Sequence, residues 1–324
     1  MEKKERRMIK RLILLFMVVA TFAAAAEKKI TAVLDWTPNT NHTGLYVADA
    51  LGYFKEEGLD VKIIQPANGT SDQLVASGRA DFGISYQESI TFARLEGVPI
   101  VSLGAIIQHN TSGFASVKSK GIESPKDFEG KNYGGWGSPV ETATLKELMS
   151  KDGGDFTKVN VLTTGDMDFF QASKNHVDFA WVFEGWTNIE ARLKGHEINY
   201  IPLNRYSEAL DYYTPVITTN ERNIARDRES VEKFMRAVRR GYEYAMANPE
   251  AAADILVEAV PELDRTLVRE SQKFLAGKYQ EDAPYWGRQK ESVWVNYQNW
   301  LFDNGLIEEK TDMKKAFTNE FIEN

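Results

Sequence analysis

From Ile30 to Ile64 an apolar strand, an amphipathic helix and a second apolar strand follow one another almost without a gap, and this order is the tightest constraint on the fold. A strand that crosses over through a helix returns parallel to its predecessor and in a right-handed sense, so both lie in one sheet with helices on its faces. Val47, Leu51 and Phe54 recur at three- and four-residue spacing and predict a helix from about Thr43 to Glu57. Gly58 is placed to end that helix in the left-handed conformation, and Asp60–Ile64 resumes as a strand. A second cycle runs from Ser71 through Leu74 and Val75 to a strand Phe82–Ser85, and a third strand is predicted near Ile100–Ile107.

Farther along, Ser112–Val117 reads as extended and Ser124–Lys131 as a polar turn before a strand ending at Tyr133. Ser138, Pro139 and Glu141 have the spacing of a capping box, which predicts a helix to about Ser150. Val161-Leu162 and Phe179–Phe183 read as strands, and Tyr213–Thr218 as a further extended segment. Val231, Phe234, Val238, Tyr242 and Ala245 form the stripe of a helix stopped at Asn248-Pro249, with further helices near 249–259, 263–275 and 287–304.

The first 26 residues stand apart from this α/β pattern. Met1–Arg11 is basic, Leu12–Phe22 is apolar, and Ala23–Ala26 offers small residues for cleavage, so an export signal cut near Ala26 is expected rather than an uncut anchor. The formal charge of −8 becomes −12 once the six basic and two acidic residues of this leader are removed. So acidic a chain is unsuited to nucleic acid, which is held by lysine and arginine. With no cysteine, disulfides, thiolate metal sites, cysteine nucleophiles and a lipid-modified cysteine are excluded. The four histidines have no metal-ligand spacing, so no metal site is expected. The mature protein is expected to be extracytoplasmic, freely soluble and monomeric.

Three landmarks, Gly52-Tyr53-Phe54-Lys55-Glu56-Glu57-Gly58-Leu59-Asp60-Val61, Ser77-Gly78-Arg79-Ala80-Asp81-Phe82-Gly83 and Asp127-Phe128-Glu129-Gly130-Lys131, resemble in sequence and order the exported type II solute-binding proteins of ABC importers. Asp35–His42 and Phe183-Glu184-Gly185-Trp186 are similar to the subfamily that shares ancestry with the yeast thiamin-pyrimidine synthases, and whose bacterial members deliver formylaminopyrimidine-type precursors. The resemblance implies an α/β, two-lobed periplasmic-binding-protein-like fold with a central cleft and two hinge crossings, near 108–114 and 213–219. Lobe 1 would be residues 27–111 plus 217–324 and lobe 2 residues 112–216. It also implies a permease and its ATPase as partners, no cofactor and no catalytic residue. The synthases consume a histidine matching His42 and need pyridoxal phosphate and a cysteine-rich segment. Asn204–Thr218 contains no cysteine, which argues against an enzyme.

An aminopyrimidine is flat, with a donor beside a ring nitrogen, and its recognition needs an aromatic platform and a carboxylate or amide at the edge. Glu184, ending an apolar strand, is the candidate edge partner; the alternative is a solvated strand-end glutamate. Trp36, Tyr86, Trp136 and Trp181 lie at or beside strand ends as candidate platforms, or as core. Asn39 and His42 either bond the solute or brace their own loop, and Trp186 is a platform or packing. Ser138 opens a helix N-terminus that suits a hydrogen-bond acceptor or anion, so the same scaffold carrying a sulfonate, nitrate or riboflavin-like solute remains the alternative.

Overall fold

The computed structural model describes residues 27–66, 69–165 and 167–323. The expected export leader and its cleavage position lie outside them. Among the described residues no helix is long and apolar enough to cross a membrane.

Two five-stranded sheets share one plan. The first runs in the order β2-β1-β3-β10-β4, from β1 (Lys28–Val33), β2 (Leu59–Ile64), β3 (Phe82–Ser85), β4 (Ile100–Ala105) and β10 (Val216–Asn220). The second runs β7-β6-β8-β5-β9, from β5 (Ser112–Val117), β6 (Asn132–Gly135), β7 (Asn160–Thr163), β8 (Phe179–Phe183) and β9 (Ile198–Pro202). In each, three strands are parallel (β1 beside β2 and β3; β6 beside β7 and β8), as the β-α-β cycles require. Each also contains a strand that pairs antiparallel with both neighbours, β10 in the first and β5 in the second.

The predicted helix over 43–57 is two helices, α1 (Thr43–Ala50) and α2 (Tyr53–Glu56), because Gly52 at φ 75° turns the chain left-handed between them. Gly58 has φ 74°, as expected. The chain continues through α3 (Ser71–Ser77), α4 (Gln87–Leu95), α5 (Pro139–Asp152), α6 (Phe169–Lys174), α7 (Ile189–Leu193), α8 (Glu221–Arg226), α9 (Arg228–Ala247), α10 (Pro249–Ala259), α11 (Arg265–Ala276) and α12 (Glu291–Asp303). The Ser138–Glu141 capping box forms and opens α5.

The first core gathers Ile30, Phe82, Ile84, Phe234 and Val238 about sheet 1, with Phe82 stacked on Phe234 at 3.8 Å. The second gathers Phe114, Phe128, Tyr133 and Phe179 about sheet 2. Helix α12 touches both halves: Trp294 belongs to a cluster with Ile90 and Val216, while Tyr297, Trp300 and Leu301 complete the second core.

The chain leaves sheet 1 after Ala105 and returns to it at Val216, and these two passages run side by side. Asn110 donates to the Leu210 carbonyl at 2.8 Å, and its own amide donates to Asp211 at 2.8 Å. His109 Nδ1 lies 2.6 Å from Asp211, and Nε2 lies 3.1 Å from Asp282. The Asp211 bond, together with Asp282 and the nearby charge of Glu281, outweighs partial burial and pushes this histidine up to about 9. A histidine whose folded pKa exceeds its unfolded value adds stability fully present below about pH 6.5 and lost as pH rises through about 9. The expected outcome is therefore a decline in chemical-denaturation stability across that window in the wild type and a flatter profile in His109→Gln.

Candidate functional site

The parallel strands of both sheets end on loops that carry the polar residues, as in other α/β folds. After β1 the chain enters the loop Leu34–His42. His42 is fully buried; its Nδ1 accepts from the Asn39 amide at 3.2 Å and its Nε2 lies 2.7 Å from Asp35 Oδ1. A nitrogen that accepts from an amide is unprotonated, so the proton sits on Nε2 and points at the carboxylate. Asn39 Oδ1 accepts from the Asn41 amide at 2.8 Å, and its Nδ2 donates to the Thr37 carbonyl. Two phenols close the loop from behind, Tyr279 donating to the Thr40 carbonyl and Tyr242 to that of Asn41, each at 2.6 Å. Asn39 and His42 thus hold the loop, and His42 fixes the nearly buried Asp35 within it.

Asp35 anchors an acidic edge that sequence reasoning passed over. Burial works against its charge, but the hydrogen bonds from His42 and Tyr86 hold the carboxyl below its ordinary range. Tyr86, just after β3, is pushed far up by burial and by the charges of Asp35, Asp72 and Glu88. Burial raises Asp72 as well, with the charge of Asp35 adding to the effect. Burial pushes Glu88 up to about 7; it accepts from Tyr297 at 3.2 Å and feels the charge of Glu141 from the second half of the chain. The available signal was the position of Asp35 and Glu88 within three residues of strand ends, and of Asp72 in the first turn of α3.

In sheet 2 the loop after β6 brings Trp136 to Trp181, ring centroids 5.4 Å apart, and Phe114 meets Trp181 edge-on at 5.5 Å. Trp136 is 50% exposed and Trp36 47%. Ser138 caps α5 by accepting from the Val140 amide. The other donors of this loop converge on Glu141. Its Oε1 accepts from Tyr133 at 2.5 Å and from the Trp136 amide at 3.1 Å, and its Oε2 accepts from the amides of Gly137 and Ser138 at 2.7 and 2.8 Å. A cradle of this kind suits an anion, and here the chain supplies its own.

Glu184 begins a π-helical turn, Glu184–Asn188, straight after β8. It is half-buried; burial raises its pKa and the charge of Lys278 opposes the rise. The nearby Tyr200 phenol donates to the Thr111 carbonyl. Among the eight candidates the geometry joins Asn39, His42 and Tyr86 through Asp35, and Trp136, Ser138 and Trp181 through the β6 loop. The turn that Glu184 begins is tied to the opening loop through Ser271, whose hydroxyl lies 2.6 Å from Thr40 Oγ1 and donates to the carbonyl of Gly185.

Two α/β halves joined by two adjacent passages, with strand-end loops carrying the polar groups, define the two-lobed fold of periplasmic binding proteins. The alkanesulfonate-binding protein SsuA from Xanthomonas axonopodis, bound to MOPS, has this fold: TM-score 0.69 at 13% identity, covering 91% of this chain and 99% of that one. The family model described as NMT1/THI5 like matches residues 39–252, and the chain belongs to that family. It is 31% identical to a formylaminopyrimidine-binding protein of Halalkalibacterium halodurans, over 90% of each chain. It is also 25% identical to a 4-amino-5-hydroxymethyl-2-methylpyrimidine phosphate synthase of Legionella pneumophila, over 92% of this chain and 94% of that one.

Proposed function

We propose that this protein is the extracytoplasmic binding component of an ABC importer and carries a thiamin-related aminopyrimidine, of the formylaminopyrimidine or hydroxymethylpyrimidine type, for salvage. The observation that carries the reading is the set of carboxyl side chains gathered at the strand ends and the helix starts that follow them. Asp35, Asp72, Glu88 and Glu184 offer acceptors, whereas the amide cradle before α5, the place for an oxyanion, is filled by Glu141. Such surroundings favour a solute that brings N–H donors and a basic ring nitrogen over a sulfonate or nitrate. The flat rings of Trp136, Trp181 and Trp36 supply faces on which a heterocycle stacks, and Glu184 its edge partner. Identity with the formylaminopyrimidine-binding relative supports the same ligand type.

In this reading lobe 1 comprises residues 27–111 and 217–324 and lobe 2 residues 112–216, and they hinge about the passages at His109–Asn110 and Leu210–Asp211. The protein acts as a binding protein without a cofactor, delivering its solute to a permease and ATPase. Synthase relatives keep an enzymatic reading in view, but the matching histidine, His42, is fully enclosed and committed to Asp35 and Asn39. A thermal-shift panel tests the reading: formylaminopyrimidine raises the melting temperature and alkanesulfonates and nitrate do not, since binding to the native state alone stabilises it. Stabilisation by sulfonate without stabilisation by any pyrimidine overturns it.

A further inference from the structure

The turn that carries Glu184 does more than present a carboxylate. Its central residue, Trp186, leaves its own half of the molecule and packs against the cluster of Ala253, Leu256, Val257, Val260 and Val268, formed by α10, the residue that follows it and α11. Those helices belong to the other half, since Ala252 and Leu275 lie in the core of sheet 1. The contact has a polar part. Ser271, fully buried on α11, donates to the Gly185 carbonyl and, with its one proton so used, accepts from Thr40 of the opening loop at 2.6 Å. It also has a steric part: a Cβ on Gly185 would lie 3.0 Å from Leu275 Cδ2 and 3.2 Å from Phe274 Cδ1, so a larger residue at 185 would crowd these side chains of α11. Arg192, just beyond the turn on α7, faces Glu270 of α11 at 3.6 Å.

We propose that Glu184–Asn188 is the latch that holds the two lobes closed, with Trp186 as its apolar bolt and Ser271 as the positioning residue that ties it to the opening loop. Trp186 offers the large, flat apolar surface that dominates protein contacts, and it sits two residues from the group assigned to the solute. A solute that engages Glu184 therefore acts on the same five-residue turn that docks on α11, which couples occupancy to closure. The link from Glu184 to the solute rests on the function proposed above; the latch itself does not.

Closure is read by the distance between the lobes. The chain has no cysteine, so Lys55→Cys and Lys174→Cys on exposed helical positions accept a pair of spin or fluorescent labels cleanly. In the full-length protein without added solute, Trp186→Ala is expected to shift the distance distribution to longer separations, Ser271→Ala to shift it less, and Trp186→Phe to restore most of the short-distance population. A folded Trp186→Ala protein with the wild-type distribution overturns the latch. Should Trp186→Ala lose its fold, Ser271→Ala, which removes a single oxygen, decides in the same way. Because these distances need no solute, a failure of the latch is distinguishable from a wrong ligand class. A solute panel that fails to bind while the distances shift rejects the ligand and keeps the latch.

Discussion

Replacing Gly241 by alanine is expected to lower the unfolding free energy by about 2 to 4 kcal/mol. In an isolated helix the same change is stabilising by roughly 1 kcal/mol, because glycine costs more backbone entropy than alanine. The sign reverses because α9 crosses α1 at near-contact: a Cβ on Gly241 would lie 2.0 Å from the carbonyl oxygen of Gly44 and 2.9 Å from its carbonyl carbon. Backbone cannot yield as a flexible side chain does, so the helices must separate. Separation loosens Tyr242, which stacks on Trp286 at 4.4 Å and holds the Asn41 carbonyl of the opening loop. The expected cost corresponds to a drop in melting temperature of several degrees, with weaker solute binding through the loop. A Gly241→Ala protein as stable as the wild type in denaturant melts would show that the helices do not cross this closely.

The second large effect is on binding. Glu184→Ala is expected to leave the fold intact and to raise the solute dissociation constant about ten- to one-hundredfold. This is the scale of roughly 1.5 to 3 kcal/mol for a hydrogen bond to a charged group. The fold should survive because the structural tasks of the turn fall on its backbone and on Trp186: the Gly185 carbonyl accepts from Ser271, and the Glu184 amide donates to the Thr111 carbonyl at 2.9 Å. Titration calorimetry on the variant checks this. An unchanged dissociation constant would mean that the carboxylate does not touch the solute.

Local signals were legible in the sequence where local chemistry decides the structure. The β-α-β cycles, the left-handed Gly58, the Ser138–Glu141 capping box and the start of α10 at Pro249 all depend on a few neighbouring residues. The antiparallel insertion of β10 between β3 and β4 was not legible, because it joins residues more than a hundred positions apart and its apolar pattern also suits a plain connector. The break at Leu51-Gly52 was masked by a stripe of helical spacing that continues across it. At the site, the loop Asp35–His42 stood out by composition, yet its division of labour did not. Asn39 and His42 are engaged by backbone amides of their own loop, and Asp35 is bonded by His42. Glu141 read as a helix cap, and only the folded β6 loop brings three amides and Tyr133 to the same carboxylate. His109 has no acidic neighbour in the chain, and its two aspartates arrive from 102 and 173 residues away.

The most direct test of the central claim, that acid-edged loops and stacked indoles hold a flat basic heterocycle between two lobes, is calorimetric titration of the purified wild-type protein with formylaminopyrimidine. The account predicts saturable one-to-one binding, and no heat from an alkanesulfonate in the same buffer. Saturable sulfonate binding with a silent pyrimidine titration would contradict it.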